Sequence, residues 1–307
     1  MNAVENTNVL EAKVHQTEEI LKKFLPQEAG LQKTIIEAMN YSFLAGGKRL
    51  RPLLMHETYE MLGGEGNLVE PFMAALEMIH TYSLIHDDLP CMDNDEYRRG
   101  RKTTHVVYGE GMAVLAGDGL LNFAYETAAK AFELLDETDL AGFKRVAKAL
   151  RILGTKAGIY GMVGGQVVDV ESEEKELPIS AQMLVFIHKN KTAALIEAAM
   201  MIGAILAGAD EEVVKKMEQC AENIGIAFQI QDDILDITGT MEELGKPIGS
   251  DEKNHKQTYI TIFGMEKAKK DVEELSTQAV AQIEACEKNT SGTFLKELIL
   301  SLIHRKH

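Results

Sequence analysis

Proline placement constrains this chain more than any other feature. Six prolines occur in 307 residues, at positions 26, 52, 71, 90, 178 and 247, leaving two long proline-free stretches, 91–177 and 179–246. Proline removes a backbone donor and clashes with the preceding turn, so its absence leaves room for long uninterrupted helices. Ala, Leu, Glu and Lys dominate, and no period-two alternation bounded by tight glycine turns stands out. The expected fold class is all-α.

Apolar periodicity and helix breakers predict where those helices run. One is expected over 5–25, ending at Pro26, and one over 32–44, stopped by Gly46 and Gly47, with Pro52 able to start the next. Further helices are expected over 70–88, 111–134, 139–166, 179–208, 210–237 and from 259 to the end. ESEEKELP (171–178) reads as an exposed link, and 239–258 as one long loop. Loops longer than about 12–15 residues in compact domains are usually functional or disordered. This one carries Lys246, Asp251, Lys253 and Lys256, which favours function. No composition shift marks a boundary, so 1–307 is expected to form a single domain.

A hydrophobic content of 45% allows a large core. The formal net charge of −16 argues against nucleic-acid and anionic-membrane partners, so an anionic ligand needs a local basic site or metal ions. Cys91, Cys220 and Cys286 are widely spaced and odd in number, which suggests a reducing, cytoplasmic setting. The opening MNAVENTNVLEAKVHQ is polar and acidic, unlike a signal or transit peptide. No apolar run approaches the roughly 20 residues of a membrane span, so stable membrane insertion is not expected.

Two acidic motifs stand against this background. In FQIQDDILDITG, Asp232 and Asp236 differ by roughly 40° around a helix and Asp233 and Asp236 by about 60°, so all three share a face. Ile230, Ile234, Leu235 and Ile237 interleave with them, placing the carboxylates in a partly buried segment. There they would repel one another and raise one another's pKa values, and a hard divalent cation is the natural remedy. A solvated acidic face is the ordinary reading of DDILD alone, but a second motif in the same chain weakens it. That motif, HDDLPCMDND (86–95), has Cys91 where a plain DDxxD would place its third aspartate, and Asp93 instead. On a straight helix Asp93 would lie about 140° from Asp88. Pro90 disfavours helical geometry at Leu89, and a break there could turn Asp93 toward the metal that Asp87 faces.

Basic groups appear where an anionic ligand would need them. GGKRLRP supplies Lys48, Arg49 and Arg51 beside two glycines, and EYRRGRK supplies Arg98, Arg99, Arg101 and Lys102. Arginine's fork suits phosphate oxygens, and lysine acts as a point charge. Each cluster alone would be an ordinary solvated face; paired with the acidic motifs they are better explained by a polyphosphate bridged through Mg²⁺. His80, two turns before Asp87, would by itself more often be a core histidine.

Taken in order, GGKRLRP, DDLPCMD with RRG, GGQVVD, KT, and FQIQDDILD with GKPIG and Lys256 resemble the trans-isoprenyl diphosphate synthases over nearly the whole chain, and most of all their bacterial farnesyl branch. The resemblance implies a homodimer of an isoprenoid-synthase-type helical bundle around a central active-site cavity. It implies Mg²⁺-dependent condensation of isopentenyl diphosphate with an allylic diphosphate, with three metal ions and Mn²⁺ as an alternative. Asp87, Asp88 and Asp93 with Asp232, Asp233 and Asp236 are then the metal ligands. Lys48, Arg51, His80, Arg99 and Phe228 would bind isopentenyl diphosphate. Arg98, Lys191, Thr192, Gln229, Lys246 and Lys256 would hold the allylic diphosphate. Asn94 departs from the aspartate often found there, with little expected effect. The C-terminal HRKH (304–307) would fold over the isopentenyl site.

Tyr82 and Ser83 are expected to control chain length. Tyr82 lies five residues before Asp87, about 7.5 Å deeper along the helix axis, where its ring would floor the pocket at the C15 product. In relatives an aromatic here accompanies farnesyl products and small residues longer ones. Four rivals remain: a geranylgeranyl diphosphate synthase, a terpene cyclase, a non-catalytic partner subunit and a purely structural helical protein.

Overall fold

The computed structural model describes residues 3–174, 179–238 and 257–303, and among these the regular secondary structure is helical apart from one short hairpin. The chain divides into two compact units, the first of residues 1–56 and 65–150, the second of 57–64 and 151–307. No helix among the described residues is long and apolar enough to cross a membrane.

The first unit contains α1 (Ala3–Lys22), α2 (Lys33–Phe43), the start of α3 (Leu50–Met61) and α4 (Glu70–Asp87). A hairpin of β1 (Tyr97–Arg98) and β2 (Arg101–Lys102) follows, with Tyr97 opposite Lys102 and Arg98 opposite Arg101. Then come α5 (Thr104–Tyr108), α6 (Glu110–Ala129), a 3₁₀ turn over Lys130–Leu134 and the start of α7 (Leu140–Ala157). Helix α4 is the spine. Pro71 sits in its first turn, where a missing N–H costs nothing, and twelve of its residues are buried, including Phe72, Met73, Leu76, Met78, Ile79 and Ile85. Each such side chain contributes about 1.5–3 kcal/mol by leaving water. Its apolar flank packs on α6.

The second unit contains the rest of α7, α8 (Met162–Glu174), α9 (Ala181–Ile187), a π-helical turn over His188–Ala193 and α10 (Ala194–Leu206). It continues with α11 (Glu211–Thr238), α12 (Tyr259–Phe263), α13 (Met265–Glu284) and α14 (Ser291–Ile303). Every residue of α10 is buried, and all are apolar except Glu197, whose carboxylate pairs with Lys156; the helix packs on α11.

The expected helices over 70–88 and 210–237 match α4 and α11 within a residue or two. The expected single helix over 139–166 is instead two, α7 and α8, separated at Gly158 and Gly161. The region from 259 onward is three helices, interrupted by Gly264 at φ +85° and by 285–290. The hairpin and α5 fall between the helices predicted at 70–88 and 111–134.

Candidate active site

The first unit gathers the first aspartate motif and both basic clusters on and around α4. Helix α4 stops at Asp87, because Leu89 precedes Pro90 and is disfavoured from helical geometry. The chain then folds back. The Leu89 N–H donates to the His86 carbonyl at 3.2 Å, and the Asp93 N–H donates to the Asp87 carbonyl at 2.9 Å. The break at Pro90 thus returns Asp93 to the backbone of Asp87. Asn94 adopts a left-handed φ of +55° and donates its N–H to the Leu89 carbonyl at 3.1 Å. Asparagine tolerates that conformation better than most residues, a local reason for its presence here.

Asp88 is buried at 4% exposure, and its Oδ1 accepts from Arg98 Nε at 2.7 Å and lies 2.6 Å from Arg98 Nη2. Burial lifts the Asp88 carboxyl above the ordinary carboxylate range, while Arg98 pulls the other way. Arg98 is delivered by the hairpin, whose tight turn places Arg99 at φ +53° and Gly100 at φ +73°. Tyr41 on α2 fixes the hairpin's far strand: its hydroxyl donates to the Lys102 carbonyl at 2.8 Å, and the Arg101 guanidinium lies 4.3 Å from its ring centre.

The GGKRLRP loop is anchored by its middle arginine. Arg49 has a left-handed φ of +46° and is buried, with Nη1 donating to Glu77 at 2.8 Å and Nη2 to the Phe43 carbonyl at 2.8 Å. Strained non-glycine backbone persists where surrounding contacts over-determine it. The flanking Lys48 is exposed, and Arg51 lies in the first turn of α3 and donates from Nη1 to His80 Nε2 at 3.3 Å. His80 therefore carries its proton on Nδ1. Burial, then Arg51, Arg99 and Arg98, hold its pKa well below the usual histidine value, so it is neutral at pH 7. Arg99 donates to the Gly46 carbonyl, and Gly47 holds a φ of +130°, a conformation that favours glycine and lets the Arg99 guanidinium lie close to its backbone.

Tyr82 is 7% exposed and packs edge-on against His86, with ring centres 5.8 Å apart. Burial, aided by Tyr125 and Asp87, pushes its hydroxyl up to about 12. The Ser83 hydroxyl donates to the His80 carbonyl at 2.9 Å.

The second unit presents the other motif on α11. Asp232 is exposed, Asp233 half-buried and Asp236 buried, while Ile230, Ile234 and Leu235 enter the core. Ile237, expected among the buried residues, is 52% exposed. Gln229 sits one turn before Asp232, its Nε2 3.5 Å from Asp232 Oδ2, and Phe228 is half-buried beside it. Lys191 and Thr192 lie in the π-helical turn, a form common at functional sites. Lys191 Nζ pairs with Asp169 Oδ2 at 2.5 Å. Asp169 closes the GGQVVD stretch and had no role assigned from the sequence; its pairing with Lys191 is visible only once α8 meets the π turn. A Cβ on Gly165 would overlap the Lys191 backbone nitrogen, so the glycine lets α8 reach that turn. Lys246, Lys256 and the HRKH tail lie outside the described residues.

Residues 32–294 match the polyprenyl synthetase family. The Arabidopsis thaliana protein named heterodimeric geranylgeranyl pyrophosphate synthase large subunit 1, chloroplastic, is 46% identical over 268 residues, covering 86% of this chain and 71% of that protein. Farnesyl diphosphate synthase of Geobacillus stearothermophilus is 44% identical over 257 residues, covering 82% of each. The solved structure of a geranyltransferase from Helicobacter pylori, complexed with magnesium and isoprenyl diphosphate, superposes with a TM-score of 0.79 at 31% identity, covering 97% of this chain and 96% of that one. The chain therefore belongs to the polyprenyl synthetase family, the trans-isoprenyl diphosphate synthases, and so to the prenyltransferases.

Proposed function

We propose that this chain condenses isopentenyl diphosphate with dimethylallyl or geranyl diphosphate to give (2E,6E)-farnesyl diphosphate. The observation that carries the reading is the convergence on α4 of a carboxylate motif and two basic clusters, with Arg98 on Asp88 and Arg51 on His80. A structural helical protein needs no such pairing, and a terpene cyclase gives the GGKRLRP loop no purpose. The family match runs through both units, which supports one polyprenyl synthase domain over 1–307.

The donor set fits Mg²⁺, with Mn²⁺ as an alternative: Asp87, Asp88, Asp93, Asp232, Asp233 and Asp236 offer only hard carboxylate oxygens. Magnesium in the Helicobacter pylori complex supports the choice, and three ions follows the resemblance. Bound metal would supply neutralisation of the charge that develops on the departing diphosphate. Arg98, Lys191, Thr192, Gln229, Lys246 and Lys256 would hold the allylic diphosphate and steady it as a leaving group. Lys48, Arg51 and Arg99 would grip isopentenyl diphosphate, with neutral His80 beside Arg51 as a hydrogen-bonding group and Phe228 near the alkene. The allylic C–O bond ionises, the alkene attacks the allylic cation, and a proton leaves to the released pyrophosphate.

Tyr82, fixed by burial and by His86, is the proposed floor for a C15 chain, with Ser83 beside it. A geranylgeranyl synthase is the second reading, favoured by the name of the Arabidopsis thaliana relative. Val106, Val107, Val114 and Leu115 on α5 and α6 are exposed apolar residues, which supports a homodimer. Three free cysteines fit the cytoplasm. Incubation with labelled isopentenyl diphosphate and geranyl diphosphate tests the reaction. Label should enter an acid-labile allylic product with Mg²⁺ present and not after chelation; no incorporation with any allylic starter would overturn the reading.

A further inference from the structure

Asp233 is held from outside its own helix. Its Oδ2 accepts the backbone N–H of Tyr259 at 2.6 Å. That N–H belongs to the first residue of α12 and has no partner within the helix. Its direction is fixed by what surrounds it. Thr258 and Thr261 form a capping box, with the Thr258 N–H donating to Thr261 Oγ1 at 2.9 Å and the Thr261 N–H to Thr258 Oγ1 at 3.3 Å.

The Tyr259 side chain is clamped three ways. Its ring packs on Phe263 at 4.5 Å between centres and stacks on His188 at 6.3 Å with an interplanar angle of 24°. Its hydroxyl donates to Asp271 Oδ2 at 2.6 Å, and Lys267 Nζ holds the same carboxylate at 2.7 Å. His188 begins the π-helical turn that carries Lys191, and its buried Nδ1 has no hydrogen-bond partner among the described residues. Stacking against Tyr259 therefore orients that ring. Five residues are too few for a helix to hold its own geometry, so the ring and hydroxyl contacts fix α12.

We infer that Tyr259 is a positioning residue, setting the rotamer of the Asp233 carboxylate through its backbone and the π-helical turn of Lys191 through its ring. The inference rests on the proposed reading of Asp233 as a metal ligand. Groups that orient ligating carboxylates typically change metal affinity by about 10–100-fold when altered.

The test measures Mn²⁺ binding to the full-length chain by electron paramagnetic resonance, together with amide hydrogen exchange of the metal-free protein. Tyr259→Leu and Asp271→Ala should each weaken Mn²⁺ binding on the order of tenfold and speed exchange of the residue 259 amide. Asp271→Asn, which still accepts the hydroxyl, should retain most of the affinity. The KM for isopentenyl diphosphate should not change, because its proposed phosphate grip lies on other residues. Variants that bind Mn²⁺ as wild type does, or a residue 259 amide that exchanges freely in wild type, would overturn the inference alone. If Tyr259→Leu does not fold, the Asp271→Ala and Asp271→Asn pair decides. If wild type turns over substrate with Mg²⁺ but the variants raise the KM for isopentenyl diphosphate and weaken Mn²⁺ binding by the same factor, Tyr259 has only a structural role. A wild-type chain that binds no Mn²⁺ would overturn the metal reading of Asp233 and this inference with it.

Discussion

The Asp93 N–H returns to the Asp87 carbonyl at 2.9 Å across the break at Pro90, which brings Asp93 back to the end of α4. Asp93→Ala should therefore lower Mg²⁺-dependent turnover by at least tenfold, as loss of a ligand to an electrostatic centre does; unchanged turnover at all Mg²⁺ concentrations would remove Asp93 from the site. That turn was legible in the sequence, from the spacing and Pro90; the partners of Asp169 and Tyr259 were not, because each lies some 20 residues or more away. His188 gives a second test at this scale. Burial lowers its pKa from 6.5 to about 4, so below pH 6.5 the unfolded chain binds the proton that the folded chain refuses. Its contribution is whole above pH 6.5 and is lost as pH falls toward 4, by about 2–3 kcal/mol between pH 7 and 4.5. His188→Phe, which keeps an aromatic ring against Tyr259, should shrink the pH-dependent fall in stability by that amount in urea titrations.

Elements were legible where one periodic face ran unbroken, as in α4 and α11. They were not where glycine and tertiary contact decided the geometry. The expected 139–166 helix divides at Gly158 and Gly161, and no apolar period signals the π-helical turn inside the expected 179–208 helix. Backbone proximity explains part of this, since α8 approaches that turn only because residue 165 lacks a Cβ. Gly165→Ala should destabilise the protein by about 1–3 kcal/mol through overpacking. Chemical denaturation measures this, and a neutral result would show that the contact between α8 and the π turn relaxes freely. The hairpin over 97–102 escaped prediction because two-residue strands leave no alternation to read. It is nevertheless the element that brings Arg98 to Asp88.

The whole molecule shows how a chain of net charge −16 can host an anionic chemistry. Cations are concentrated by pairing rather than by net charge, with Arg49 on Glu77 and Arg98 on Asp88 in the first unit and Lys191 on Asp169 in the second. The all-α fold and the family were legible from proline spacing and motif order; product length was not, because relatives of similar identity carry both farnesyl and geranylgeranyl names. Substituting Val114 and Leu115 with aspartate should convert a dimer to a monomer in light scattering, if the exposed face on α5 and α6 is the proposed contact. The proposed enzyme is a Mg²⁺-dependent prenyltransferase that stops at C15 because Tyr82 floors its pocket. Chromatography of the products formed from labelled isopentenyl diphosphate and geranyl diphosphate tests it most directly, run on wild type and on Tyr82→Ala. Wild type should give a C15 product, and Tyr82→Ala should give products of C20 or longer. A wild-type product of C20, or a Tyr82→Ala product that still stops at C15, would contradict it.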